Sequence, residues 1–297
     1  MRTQEIEDIL ESVLNACQLR VAILSDVEYC GSWYDREPTT DAGQFHLIKS
    51  GECLMSGPML EEPVRLTGGD FAVFPHGRRH TLLSTAPPGS PPSMGFTSML
   101  CGELEFIKDP NNPVLDALPQ CLIVHARDGG DTYRTLADLL VATSRDHGFG
   151  RQLGMNKLAD CLFTMAVCEY ARQGVHSHGI FAGMADARLV RALHVIHAQP
   201  GNDWTLHRLA AIANMSRSAF ALRFTEVMGI APMRYLTHWR ITHAKRLLKN
   251  PRLSIAAIAE RVGYRSEAAF RRLFKRLEGT GVSTLRAAVR SEAGGDE

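Results

Sequence analysis

The stretch "NMSRSAFALRFTEVMG", Asn214 to Gly229, decides how this chain is read. It opens with a serine suited to cap a helix and closes with a glycine suited to end one. On a wheel at about 100° per residue, Phe220, Phe224 and Val227 fall within about 60° of each other. That is a stripe for burial. Ser218, Ala221, Leu222 and Thr225 lie opposite, with Arg217 and Arg223 at the edges. Just upstream, "TLHRLAAIAN" is a second short amphipathic helix with Leu206, Leu209, Ile212 and Ala213 for core. A tight turn joins the two, which is the helix-turn-helix shape.

The pattern returns about fifty residues later in "SIAAIAERVGYRSEAAFRRLFKRLEG", 254–279. Ile255, Ile258, Ala259 and Val262 make the support helix. "GYRS" makes a matching turn, with Gly263 suited to a left-handed position. Ser266 caps the next helix, and Phe270, Phe274 and Leu277 bury it. The outward face is Arg271, Arg272, Lys275 and Arg276, which suits phosphates and guanine edges. Between the copies, "APMRYLTHWRITHAKRLLKN" (231–250) reads as a long, stiff helix. It holds the two units so that each enters the major groove on one face of a duplex, about 34 Å apart.

Charge follows this division. Residues 184–290 carry a net +13, residues 1–183 carry −9, and the last seven carry −3, so the overall +1 conceals a polarised chain. A basic C-terminal module is drawn to polyanions. The 297 residues are enough for two domains with real cores. No apolar run reaches the ~20 residues of a membrane helix, and "MRTQEIEDIL" has no secretory pattern. Seven scattered cysteines without a CxxC pair fit reduced thiols in a cytoplasm, not a disulfide framework.

Residues 186–279 resemble the DNA-binding domain of the AraC/XylS family of transcription regulators. The resemblance implies one monomer with two helix-turn-helix units and double-stranded promoter DNA and RNA polymerase as partners; activator is the expected role, with repressor the open alternative. It also implies that Ser218, Ala221 and Leu222 in the first unit, and Ala268, Arg271 and Arg272 in the second, read bases, with Arg217, Thr225, Lys275 and Arg276 beside them. Leu222 departs from the cationic or amide residues of relatives, and suits a thymine methyl. "GTGVSTLRAAVR" lacks the usual proline and tyrosine after the second unit, which leaves the packing of the last helix open.

The N-terminal half reads differently. "VAILSDVEY", "FHLIKSG", "FAVFP", "HTLLS" and "SMLCGELEF" are β-rich, with Gly and Pro between them. "GGDFAVFPHGRRH" (68–80) resembles the second motif of cupin barrels, and "FHLIKSGECLM" (45–55) partly resembles the first. His46 is present, but Ile48 stands where the motif has a second histidine. His46 and His80, with Glu52 or Cys53, are the candidate metal ligands. A metal-free barrel is the competing reading, and no cofactor is assigned. A metal-dependent cupin enzyme fused to a DNA-binding domain is the outlying alternative; the main reading is not an enzyme.

The arrangement is similar to cupin-type AraC regulators, including a branch that senses reactive chlorine. That resemblance makes Cys30 and Cys101 the candidate redox sensors, with an oxidant as effector and a disulfide between them as one outcome. A small-molecule ligand in the cupin is the alternative effector. Cys161 and Cys168, seven apart on an apolar helix face, read as core. Helices between about 131 and 172 carry an apolar stripe that the resemblance makes a homodimer surface.

The expected fold is α+β and multidomain. Residues 1–126 form a cupin-like β-barrel sensor with flanking helices. Residues 127–183 form a helical dimerisation and linker segment whose end, 172–183, is flexible. Residues 184–290 form an all-α domain of two helix-turn-helix units joined by a long helix, and 291–297 a disordered tail.

Overall fold

A computed structural model describes residues 2–16, 19–91, 93–106, 114–174 and 178–293. The chain divides into two compact units. One comprises Gln18–Ile107 and Leu118–Gln173; the other comprises Met1–Cys17, Lys108–Ala117 and Gly174–Glu297.

The first unit is the sheet-rich one. Its strands are β1 (Leu19–Tyr29), β2 (Tyr34–Glu37), β3 (Gly43–Ser56), β4 (Val64–Thr67), β5 (Phe71–Phe74), β6 (His80–Ser84), β7 (Thr97–Phe106) and β8 (Leu122–Val124). All pairings are antiparallel. One path runs β1-β7-β3-β5-β8, and β2, β6 and β4 extend the sheet from the far half of β3. Strand β3 therefore serves both halves. Gly43–Gly51 pairs with β7, Cys53–Ser56 pairs with β6, and a register irregularity between Ile48 and Ser50 lies near the change of partner. A bulge of this kind bends a strand and raises its twist, which lets one sheet wrap on itself. Ile48, Cys53, Met55, Leu66, Ala72, Phe74, Leu82 and Met99 fill the interior.

The Pro75–Gly77 corner holds a left-handed Gly77, φ +57°, against the carbonyls of Thr40 and Ala42, where a Cβ has no room. Asp70 closes the other end. Its carboxylate accepts from the Thr67 and Ala126 amides, both 2.8 Å, and lies 3.0 Å from His125 Nδ1. Helices α2 (Gly130–Arg145) and α3 (Arg151–Gln173) complete the unit. Tyr133 anchors α2 by donating to the Gly69 carbonyl, 3.0 Å. Met155, Ala159, Leu162, Phe163, Ala166 and Val167 form the buried face of α3. Cys161 and Cys168 are exposed, which corrects their reading as core: Leu162 and Ala166, one helical step away, occupy it instead.

The second unit is helical. It contains α1 (Arg2–Ala16), a short 3-10 turn at Leu115–Ala117, α4 (Gly179–Ala185), α5 (Leu189–Ala198), α6 (Leu206–Ile212), α7 (Arg217–Met228), α8 (Pro232–Leu248), α9 (Ile255–Arg261), α10 (Glu267–Glu278) and α11 (Val282–Ala293). Helix α1 packs on α5 here, with Ile9 and Val13 buried and Asp8 3.0 Å from His194 Nε2. By chain order residues 1–17 belong to the expected sensor domain; by contact they group with the helical unit. Gly179–Gly183, read as part of a flexible link, begin a helix whose Ile180, Phe181 and Met184 are buried; residues 175–177 lie outside the described ones. Helix α11 continues to Ala293, three residues into the expected tail, and 294–297 lie outside the described residues. Val282 is buried against the second helix-turn-helix core and Leu285 packs on it, so the last helix is docked without the family's usual proline and tyrosine.

Candidate nucleic-acid interface and sensor residues

Helices α6 and α7 make the first unit and α9 and α10 the second. Each recognition helix is capped the same way. Ser216 Oγ accepts from the Ala219 amide at 3.2 Å, and Ser266 Oγ accepts from the Ala269 amide at 3.3 Å. Each ends on a left-handed glycine, Gly229 or Gly279. Phe220 and Phe224 are fully buried with ring centroids 5.6 Å apart; Phe270 and Phe274 repeat this at 5.7 Å. Burying one such ring contributes about 1.5–3 kcal/mol. In the first stripe Val227 is only partly buried, and Met228 takes the inward place.

The turns share one motif but not one length. Both support helices end with a left-handed residue, Asn214 (φ +53°) and Gly263 (φ +83°). Both place the next amide on a carbonyl five residues back, Met215 on Ala210 at 2.9 Å and Tyr264 on Ala259 at 2.8 Å. This satisfies the last carbonyls of the support helix. The second turn then has an extra residue, Arg265, before its cap. The expected match of turns is therefore off by one position.

Helix α8 bridges the units. Its Arg240 donates from Nε to the Pro200 carbonyl and from Nη2 to the Asn202 carbonyl, both 2.7 Å. The same guanidinium sits 5.6 Å from the Tyr264 ring centroid and lies over Gly263. One side chain thus ties the loop leading into α6 to the turn between α9 and α10. Nothing in the sequence reading singled it out.

Of the expected DNA-contact residues, Arg217, Ser218, Leu222, Thr225, Ala268, Arg272, Lys275 and Arg276 are exposed; Ala221 and Arg271 are intermediate. Leu222 is 64% exposed. Thr225 spends its hydroxyl proton on the Ala221 carbonyl, 2.8 Å. Arg271 is held by Glu267 at 2.6 Å and Ser283 at 2.8 Å. Arg217, Arg272, Lys275 and Arg276 make no hydrogen bond or ion pair among the described residues, so their charge faces outward. Arg223, by contrast, pairs with Asp186 at 2.9 Å.

Two family models match the chain. One, described as a cupin, covers residues 8–172, and one, described as a helix-turn-helix domain, covers residues 209–288. An uncharacterised HTH-type transcriptional regulator of Haemophilus influenzae is 30% identical over 288 residues, 90% of this chain and 94% of that one. The chain belongs to the AraC family of regulators with an N-terminal cupin. As a member of that family it is a DNA-binding transcription regulator and not an enzyme. The RCS-specific HTH-type transcriptional activator RclR of Escherichia coli is 28% identical over 259 residues, 85% of this chain and 88% of that one. A solved DNA-binding domain of AdpA in complex with a target DNA is 33% identical, covers 36% of this chain and 96% of that one, and has a TM-score of 0.34. Among the described residues no helix is long and apolar enough to cross a membrane.

In the cupin of this AraC-family chain, His46 and His80 meet each other while Glu52 is engaged elsewhere. His46 Nε2 and His80 Nε2 lie 2.7 Å apart, a hydrogen bond in which one nitrogen's lone pair takes the other's proton. Glu52 engages Arg65 and Thr85. No cluster of three or more His, Cys, Asp or Glu fit for a metal occurs among the described residues. Cys30 is exposed, just past the end of β1. Cys101 is partly accessible on β7, opposite Ser25 of β1. Cys30 lies five residues beyond Ser25, about 16 Å at ~3.3 Å per residue. A disulfide needs Cα atoms within about 7 Å, so a Cys30–Cys101 bond requires β1 to peel from β7.

Proposed function

We propose that this chain is a cytoplasmic, one-component transcription activator. It binds promoter DNA through Arg217, Ser218, Ala221, Leu222 and Thr225 in one groove segment and Ala268, Arg271, Arg272, Lys275 and Arg276 in the next, and works with RNA polymerase. The observation that carries this is the pair of recognition helices with buried phenylalanines and an outward row of Arg217, Arg272, Lys275 and Arg276 that make no hydrogen bond or ion pair among the described residues. In the first unit the reading is by small, hydroxyl and apolar contact; in the second it is by cationic donors to guanine and phosphate. A homodimer forms through α2 and α3, supported by the exposed Leu139, Phe149 and Leu153.

The signal is an electrophilic oxidant met at Cys101, with exposed Cys30 as a further thiol. Similarity to the RCS-specific activator over most of both chains and the partly exposed position of Cys101 on a barrel strand favour this reading. The test is promoter binding and transcription before and after hypochlorous acid, in wild type, Cys30→Ser and Cys101→Ser. Cys101→Ser is expected to keep basal DNA binding and lose the response. An intact response in that variant removes Cys101 as the sensor.

A further inference from the structure

Cys101 does not stand alone. Its Sγ is 3.1 Å from His46 Nδ1; His46 Nε2 is 2.7 Å from His80 Nε2; His80 Nδ1 is 2.8 Å from the Arg78 carbonyl oxygen. That carbonyl accepts only, so His80 Nδ1 carries a proton and donates it. In the neutral pair His80 Nε2 is then an acceptor, and His46 Nε2–H donates to it. His46 Nδ1 is left as a lone pair, aimed at the Cys101 thiol. One backbone carbonyl thus sets the direction of three hydrogen bonds in series. The His80 ring is fixed further by stacking on Phe74, centroids 3.6 Å apart and planes 6° from parallel.

Every hydrogen bond in this chain survives a shift of two protons. If the thiol proton moves to His46 Nδ1 and the Nε2 proton moves to His80, the sulfur becomes a thiolate accepting from His46 and His80 becomes an imidazolium still donating to Arg78. No heavy atom has to move. We propose that His46 and His80 act together as a two-imidazole base for Cys101, taking its proton as the sulfur attacks an electrophilic oxidant; this rests on Cys101 being the sensor. With a hypohalous acid such as hypochlorous acid, the sulfur lone pair forms the S–O bond as the O–Cl bond breaks. Chloride leaves with that bond's electron pair. Sulfur is oxidised by two electrons to a sulfenic acid, chlorine is reduced by two, and the thiol proton ends on the imidazole pair.

The surroundings fit this timing. Burial pushes the Cys101 thiol up to about 12 and His46 down to about 3, so at rest both stay neutral and the sulfur is not a standing thiolate. Ser25 and Tyr29 face the sulfur from β1, Asp35 and Glu37 from β2, and Cys53 from β3. Burial lowers His80 as well, and the Arg78 carbonyl and Asp35 partly offset this by favouring its positive charge. One carboxylate that opposes a resting thiolate, Asp35, thus also supports the cation that forms when its proton leaves.

The test is the rate at which iodoacetamide labels each cysteine of the full chain, resolved by mass spectrometry from pH 6 to 10. A base that acts during attack makes the Cys101 rate flat, within about twofold, from pH 7 to 9, because thiol and imidazoles keep their neutral forms throughout. Free N-acetylcysteine in the same assay serves as the control, its rate rising about tenfold per pH unit below the ordinary thiol value near 8.5. His80→Gln still accepts from His46 but takes no proton, and is expected to slow Cys101 about 10²-fold at pH 7 and restore the slope. His46→Asn is the second variant. If either variant melts early, the wild-type profile alone decides: a Cys101 rate that climbs tenfold per unit past pH 9 overturns the proposal. The sensor reading is judged separately. A flat profile with an oxidant response intact in Cys101→Ser keeps the base and removes the sensor. A rising profile with the response lost keeps the sensor and removes the base.

Discussion

Replacing Arg240 with alanine tests whether the two DNA-reading units are held at a fixed pitch by their own domain. The side chain makes two hydrogen bonds to carbonyls at 2.7 Å and lies against Tyr264. A hydrogen bond from a charged donor is worth about 1.5–3 kcal/mol. Arg240 is half-buried, so the low end applies. A partly exposed cation over a ring adds about 0.5–1 kcal/mol. Two such bonds and the ring contact come to about 3.5–4 kcal/mol, or several hundredfold in an equilibrium constant, of which the domain's remaining contacts retain a part. Each recognition helix keeps its own phenylalanine core in Arg240→Ala, so each keeps its intrinsic affinity. What is lost is the prior alignment that lets one binding event set up the second. Fluorescence anisotropy on duplexes with both half-sites and with one is the assay. Two-site affinity is expected to fall by up to ~10²-fold and one-site affinity by less than about threefold. Arg240→Lys, which keeps the charge without the fork, is expected to fall between. Equal losses on both duplexes, or no loss on either, refute the reasoning.

Three further expectations follow from the same structure. Arg272→Ala should cost ~1–3 kcal/mol at one base position and relax selectivity there; selection of binding sites from a randomised duplex pool checks it, and unchanged preference at that position counts against the contact. Phe274→Ala removes a fully buried ring and should lower stability by ~3–5 kcal/mol in urea melts, since the packed stripe collapses only partly; a loss under about 1 kcal/mol is the contrary result. His197 is buried against Tyr235, 2.7 Å from its hydroxyl, and burial lowers it from 6.5 to about 3. Its folded form resists protonation, so its stability contribution is whole above about pH 6.5 and is lost as pH falls toward 3. At pH 5 that amounts to about 2 kcal/mol. His197→Gln should flatten this part of the pH dependence in melts at pH 7.5 and 5, and an unchanged slope contradicts it.

What the sequence could show depended on how local each signal was. The two helix-turn-helix units were legible because caps, helical period and phenylalanine spacing all act within a dozen residues. The short strands β2 and β4 offered four residues each and no such redundancy. Helix α1 carries Ile6, Ile9 and Val13 at helical spacing, yet its partner α5 lies some 180 residues on, a contact that chain order does not convey. Periodicity put Cys161 and Cys168 on one face of α3, but a period does not say which face the sheet covers. His46 was noticed as a metal ligand. Its true neighbours, Cys101 across β7 and His80 at the start of β6, depend on strand register over 55 and 34 residues, which no spacing rule conveys.

The extra residue in the second turn gives the molecule a direction. One probe is mild and greasy, the other heavily cationic, and their hinges differ in length. A single copy laid on a promoter therefore has a front and a back, and reversing the duplex beneath it offers each probe the wrong letters.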